Sequence, residues 1–286
     1  GLYNRQDIYD LSNIEQIEVL KGPAAVLYGR IEPGGLINYI TKKAQTTRYF
    51  SLQQQIGTDH QFRSAVDATG PLDENRTLLY RLNMSYTDNE SFRDFVGNER
   101  FFIAPTLTWR PNSSFEATLE LEHKKDRFQA DYGIPAVGTR PAPIPLTRNL
   151  SDGPKRQSIE NTLIAFDWTY RFNDDWQIKQ RYHQQDWTFD AAKVLAGAVQ
   201  ANNRTQNRNI LFSVQDVKTQ ATNLDLTGKF NLLGAKHSVL IGVDAFHATT
   251  EARQLFTAAP TIDIFNPVYG LINWDALAKN SNFYRK

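Results

Sequence analysis

Few residues of this 286-residue chain have the type and spacing that chemistry needs. There is no cysteine, which removes thiolate nucleophiles, thiolate metal sites and disulfide frameworks at once and leaves the redox compartment undetermined. The histidines, His60, His123, His183, His237 and His247, are scattered without zinc-type spacing and read as ordinary strand or turn residues. Glu116, Glu120 and Glu122 fall on one side of an alternating segment. Such a row can form a cation site or an acid/base pair, but a solvated polar face fits it better. "GRIEPGG", Gly29 to Gly35, is no phosphate loop: it contains Pro33, lacks a Gly-Lys-Ser/Thr ending and leads into a strand rather than a helix. Asn149-Leu150-Ser151 matches a glycosylation sequon.

Composition narrows the class of scaffold that must carry these residues. With 32 basic against 31 acidic residues the net charge is +1, which gives no reason to expect a nucleic acid or acidic polymer as partner. No run approaches the roughly 18 apolar residues of a membrane helix, and no secretion signal opens the chain. The mean hydropathy is −0.50, yet 17 Phe, 12 Tyr and 5 Trp make the chain rich in aromatics. A transmembrane β-barrel has this profile, because outward and lumenal residues alternate and cancel in any hydropathy window; a soluble β-sandwich can share it.

Alternation of period two supports strands. Leu78, Tyr80, Leu82, Met84 and Tyr86 share one face against Arg81, Asn83, Ser85 and Thr87. Phe115, Ala117, Leu119 and Leu121 oppose Glu116, Thr118, Glu120 and Glu122. Ile164, Phe166, Trp168, Tyr170 and Phe172 oppose Ala165, Asp167, Thr169 and Arg171, and Leu224, Leu226, Phe230 and Leu232 oppose Asn223, Asp225, Thr227, Lys229 and Asn231. "GPLDENR", "RPNSS", "FNDD" and "LLGAK" read as tight turns; "TDNESFRDFVGNER", Lys124 to Ser158 and Ala191 to Arg208 read as long loops, and another loop is expected after Glu251. Alternating short and long connections suit an up-and-down barrel. The expectation is about nine strands, a boundary near residues 44 to 48, and weak helical patterning only in "INWDALAKNS".

Before that boundary the texture differs. "IEQIEVLKGPAAVLYGRIEPGGLINYITKKA", Ile14 to Ala44, is punctuated by glycine and proline. Gly22-Pro23 offers a bend, and Gly34-Gly35 permits positive φ and close backbone approach. The run resembles the end of the plug domain of TonB-dependent siderophore receptors: an apolar-acidic strand, then Lys21-Gly22-Pro23, then Leu27-Tyr28-Gly29, then Pro33-Gly34-Gly35, then an apolar strand closing on Thr41 and Lys42. "DYGIPAVGTRPAPIPLTRNLSDGP" is similar to the third external loop of that branch and "IDIFNPVYG" to its entry into a later one. The resemblance runs from about Ile14 to the end of the chain. Cobalamin, glycoside and peptide importers share the plug motif, but these loops favour siderophores.

The resemblance implies an all-β fold: an N-terminal portion of a transmembrane antiparallel β-barrel over residues 46–286, preceded by the C-terminal portion of a plug over residues 1–45. It implies a monomeric receptor and active transporter in the bacterial outer membrane. Such a receptor imports a ferric siderophore with energy from TonB of the inner-membrane complex, has lipid as surroundings, and neither catalyses a reaction nor holds a cofactor or metal of its own. The plug residues Lys21, Gly22, Pro23, Tyr28, Gly29, Pro33, Gly34 and Gly35 would be structural. Cargo-binding candidates are Tyr132, in the aromatic place of "DYGIP", Arg5 and Arg140 as anion binders, and Trp187, which departs from the lipid-facing parity of its strand. Lys21 and Arg30 are expected near lumenal carboxylates. In a bacterial protein the sequon is accidental. Family members close with more strands, and their signal peptide, TonB box and first plug strands are not seen here, so the chain reads as an internal portion, unable to close or transport alone. The rival readings are an importer of cobalamin or an oligosaccharide, a siderophore-sensing signalling receptor, and a β protein with no transport role.

Overall fold

The computed structural model describes residues 9–22, 35–129, 131–152 and 157–280, the side chains of 278–280 excepted. Strands β1 (Ile14–Lys21) and β2 (Gly35–Thr41) pair antiparallel into a small sheet of their own. Lys21 pairs with Gly35 at its end. Gly35 has φ +126°, and a Cβ there would collide with the carbonyl oxygen of Leu20, so only glycine lets the backbone pass at this point.

The remaining long strands form one nine-stranded antiparallel sheet. They are β3 (Tyr49–Ile56), β4 (Phe62–Pro71), β5 (Leu78–Glu90), β6 (Gly97–Asn112) and β7 (Phe115–Phe128), followed by β10 (Gln157–Arg171), β11 (Trp176–Val199), β12 (Thr205–Leu232) and β13 (Ala235–Asp263). The connection from β7 to β10 holds two short strands, β8 (Ala136–Val137) and β9 (Arg140–Pro141), paired with each other. Each long strand lies beside its neighbour in the chain, leaving β3 and β13 at the edges. Helix α1 (Trp274–Asn280) follows β13, where the sequence carries its weak helical pattern.

Pleat and register separate the two faces. Leu119 opposes Phe166, which opposes Tyr182; Leu121 opposes Ile164; and Met84 opposes Ile103. These side chains make an outward apolar row in which Ile164 and Phe166 are exposed. On the other face Thr118 opposes Asp167 and Glu116 opposes Thr169, on the side that carries β1 and β2. The separation of Ile164, Phe166, Trp168 and Tyr170 from Asp167, Thr169 and Arg171 is therefore the one the alternation predicts.

Several expected loops are strand. β5 runs on to Glu90 and β6 starts at Gly97, leaving only a short link; β7 reaches Phe128; residues 191–208 lie mostly within β11 and β12; and β13 continues past Glu251 to Asp263. The physical reason shows at Ala191 and Ala192. Ala191 packs on one face with Trp187, Phe189 and Ile159, while Ala192 and Val194 pack on the other with Ile210, Phe212 and Ile272. Where both faces are buried, the alternation that marks a strand disappears.

Tight turns at 72–77, 113–114, 172–175 and 233–234 gather at one end of the sheet. Aromatic rings collect beside them. Trp109 meets Phe115 edge-on at 5.6 Å, and Trp176, Phe230 and His237 form a stack with centroid separations of 6.4 and 5.1 Å. Trp176 lies across Gly228 so closely that no Cβ would fit. Gly228→Val is expected to lift the indole off this stack and cost about 1–3 kcal/mol. Denaturant unfolding in detergent, followed by tryptophan fluorescence, measures both effects; unchanged stability with an unshifted spectrum would show that the glycine is not needed there.

Candidate functional site

Two places gather polar side chains: the seam between the small sheet and the inner face of the large one, and the loop end. At the seam Asp10, its side chain 2% exposed, lies 3.5 Å from the Arg63 guanidinium and 4.0 Å from that of Arg100, and it accepts a hydrogen bond from the Ser85 hydroxyl at 3.0 Å. Arg100 also faces Asp126 at 2.5 Å. A second knot forms where β2 leads into β3. Arg81 grips both oxygens of Asp67, at 2.9 and 2.7 Å, and donates to the Lys43 carbonyl at 2.9 Å. Lys42 reaches Asp67 at 3.0 Å and the Ser12 carbonyl at 2.8 Å. The small sheet is thus tied to the wall through buried charge-assisted bonds, which need both partners to persist.

The glutamate row faces this sheet as expected, but its partners differ from those anticipated. Glu120 accepts from the Thr41 hydroxyl at 3.2 Å and Glu122 from the Asn13 amide at 3.1 Å. Lys21 is exposed and pairs with no carboxylate among the described residues. It follows β1 outward, whereas Asn13 and Thr41 stand at the end of the hairpin nearest the wall. Arg5 and Arg30, and Pro23, Tyr28, Gly29, Pro33 and Gly34 of the motif, lie outside the described residues.

At the loop end arginines bind the connections together through main-chain carbonyls. Arg93, buried in the β5–β6 link, donates to Leu146 at 2.6 Å and Arg148 at 2.9 Å, and faces Asp131 at 2.6 Å. Arg148 donates to Ile264 and Phe265, both at 2.8 Å. Arg208 donates to Pro260 at 2.8 Å and Leu150 at 3.2 Å. Ala142, Ile144 and Leu150 pack on Ile262 and Ile264 beneath them. A cleft of about 390 Å³ opens between the β7–β10 connection and the tips of β11 and β12, with Tyr132, Asn149, Val194, Ala196 and Gln206 in its walls.

Tyr132 therefore stands at a cleft; burial pushes its hydroxyl pKa up from the ordinary value. Arg140, in β9, is exposed and is not among the residues that line this cleft. Trp187 lies on the opposite face of β11 from Val194, the face that carries the small sheet, and is buried against Phe189 at 6.2 Å with its indole N–H unpartnered. The Lys193 ammonium sits 6.0 Å above the Phe189 ring, and burial pulls its pKa down. The fold does not bring Tyr132 and Trp187 together. Among the described residues no three His, Asp or Glu side chains gather to hold a metal, and no helix is long and apolar enough to cross a membrane.

Residues 2–36 match the family model described as TonB-dependent Receptor Plug Domain. The metal-pseudopaline receptor CntO of Pseudomonas aeruginosa is 30% identical over 268 residues, covering 91% of this chain and 38% of its own. The ferrioxamine B receptor of Salmonella typhimurium is 28% identical over 264 residues, covering 90% and 37%. The solved structure of FpvA of P. aeruginosa bound to a heterologous pyoverdine superposes with a TM-score of 0.82 at 20% identity, over 93% of this chain and 36% of FpvA. The chain belongs to the TonB-dependent receptor family. It spans little more than a third of the length of these relatives.

Within this receptor chain the large sheet is part of a bacterial outer-membrane β-barrel with its apolar row turned outward, and β1 of the small sheet lies within the plug match. The relatives are receptors and transporters rather than enzymes. Sequence reasoning found the plug motif and the glutamate row but missed Phe189, Lys193 and the arginine lacing. A signal existed for Phe189, which continues the parity of Trp187. None existed for Arg93, Arg148 or Arg208, whose partners are main-chain carbonyls that any sequence supplies.

Proposed function

We propose that this chain is part of an outer-membrane receptor that imports a ferric siderophore with energy from TonB, residues 1–45 contributing to the plug and residues 46–286 to the barrel wall. The supporting observation is the charged seam, in which Asp10 and Lys42 on the plug side are held by Arg63, Arg100, Ser85 and Asp67 of the wall. A plug pinned inside a lipid-facing sheet suits a gated importer. The outer membrane offers no ATP and no usable ion gradient, so cargo bound above the plug must be moved by a force transmitted to the plug from outside the barrel. That task needs neither covalent chemistry nor a resident cofactor, and the iron is cargo. In this reading Tyr132 contributes to the external cargo surface: a tyrosine presents a rigid amphipathic face with few rotors to freeze. Trp187 and Phe189 line the inner wall.

The test is uptake of labelled iron by cells carrying the full-length gene, offered a panel of siderophores, with a TonB-deficient control. Uptake of one or more ferric chelates that vanishes without TonB is expected. Tyr132→Ala is expected to weaken cargo binding by up to about tenfold, the equivalent of an aromatic contact of about 0.5–1.5 kcal/mol. Transport of cobalamin or an oligosaccharide and of no ferric chelate would refute the cargo assignment; unchanged affinity in Tyr132→Ala would remove that residue from the site.

A further inference from the structure

The four tight turns that gather at one end of the sheet are not built alike. Three are closed by a short polar side chain that accepts from the turn's own N–H groups: Asp73 from Thr77 and Leu78, Asn112 from Ser114 and Phe115, and Asn173 from Asp175 and Trp176. The fourth, between β12 and β13, has no such residue. Leu232 pairs with Ala235, and the two residues between them, Leu233 and Gly234, have φ +52° and +78°. That is a type I′ turn, whose first central position favours asparagine, aspartate or glycine, because other side chains crowd the backbone at positive φ. Leucine stands there instead, and it is 96% exposed. Its backbone conformation and its side-chain exposure are both unfavourable in water.

We propose that Leu233 is a membrane anchor: the β12–β13 turn lies among the lipid headgroups of the periplasmic leaflet, and the leucine side chain inserts at their boundary with the acyl chains. Continuity with the outward row carries the assignment. Leu224, Leu226, Phe230 and Leu232 alternate along β12, with Ile241 and Val243 opposite Leu226 and Leu224 on β13. The stacked rings of Trp176, Phe230 and His237 stand just before the turn, and such rings mark the height at which a barrel leaves the hydrocarbon. The apolar surface does not stop at them, because no polar side chain occurs from Leu232 to Ala235. At the other turns the chain passes at once to charge, as Asp73-Glu74 after Leu72 and Asp174-Asp175 after Phe172, which keeps those tips in water. A periplasmic protein would need an apolar surface around Leu233 to cover, and the one present is already the outward row of the barrel. The anchor holds β12 and β13, the longest strands at 28 and 29 residues, at a fixed depth in the bilayer.

The test uses the full-length receptor cleared of any other cysteine and folded into dimyristoylphosphatidylcholine vesicles. Leu233→Cys is compared with Asp174→Cys, at an exposed position in the turn before β11, each labelled with the same bimane fluorophore. Cysteine is unbranched at Cβ like leucine and keeps the turn, and the altered gel mobility of an unheated barrel confirms that both variants fold. Lipids spin-labelled at two depths are expected to place the probe at position 233 about 5–10 Å below the headgroup surface. Iodide is expected to leave that probe unquenched and to quench the one at position 174. Equal quenching of both by iodide would put the turn in water and overturn the proposal. Shielding of position 233 from iodide and from both spin labels would show that protein covers it, and would overturn the proposal as well.

Discussion

Phe166→Arg is expected to destabilise the folded full-length receptor in a bilayer by roughly 2–4 kcal/mol, the cost of an arginine near the midplane on the lipid face of a barrel. Phe166 is flanked across the ladder by Leu119 and Tyr182 and along its own strand by Ile164 and Trp168, so it sits well inside the apolar row. Thr169→Arg, on the same strand but opposite Glu116 on the inner face, should cost far less, because that face already accommodates charge. Urea titration of the receptor folded into phospholipid vesicles measures both. Equal losses at the two positions would show that neither face is lipid and would overturn the orientation of the whole sheet.

How far the sequence discloses this arrangement depends on what each segment touches. Within the bilayer every strand has one apolar and one polar surround, so Leu82, Leu119, Phe166 and Leu224 announce their faces by alternation alone, and the nine strands are all visible. Above the bilayer that constraint ends. Around Ala191 to Val194 the hairpin of β11 and β12 is covered on both sides, partly by residues 272–277, which follow β13 in the chain. Its composition then resembles that of a loop. The glycine knot is legible for a different reason: Gly35 has a positive φ and lies against the Leu20 carbonyl, and glycine is the residue type that permits both. The cleft was half legible. Tyr132 could be suspected from its segment, but the meeting of Asn149 and Gln206 in one cleft exists only once the β7–β10 connection has folded onto the tips of β11 and β12.

The plug seam is expected to give the larger response to a single deletion. Asp67→Ala should cost about 3–5 kcal/mol, the range for removing one partner of a buried ion pair and leaving the other charge uncompensated. The Arg81 side chain is only 6% exposed, and without Asp67 it keeps just the Lys43 carbonyl of its present partners, while Lys42 keeps the Ser12 carbonyl. Both remaining bonds belong to the plug and its exit, so the damage should concentrate there: amide exchange should accelerate at residues 42–45 and in β2 before it does in the wall. Asp67→Leu combined with Arg81→Met should recover part of the loss, since a buried pair can be replaced by apolar side chains at little cost even though breaking it is expensive. The reference is Glu99→Ala, which removes the partner of Arg127 in a pair 3.5 Å apart with side chains 31% and 51% exposed; it should cost less than about 1 kcal/mol. Urea unfolding in detergent, with hydrogen exchange resolved by segment, compares the variants. A loss at Asp67 no greater than that at Glu99, or exchange that quickens evenly over wall and plug, would show that the seam does not hold the plug. A plug so held can yield to a pull on one end while its exit stays fixed to β4 and β5, because Asp67 and Arg81 stand on the two strands that the linker from β2 must cross.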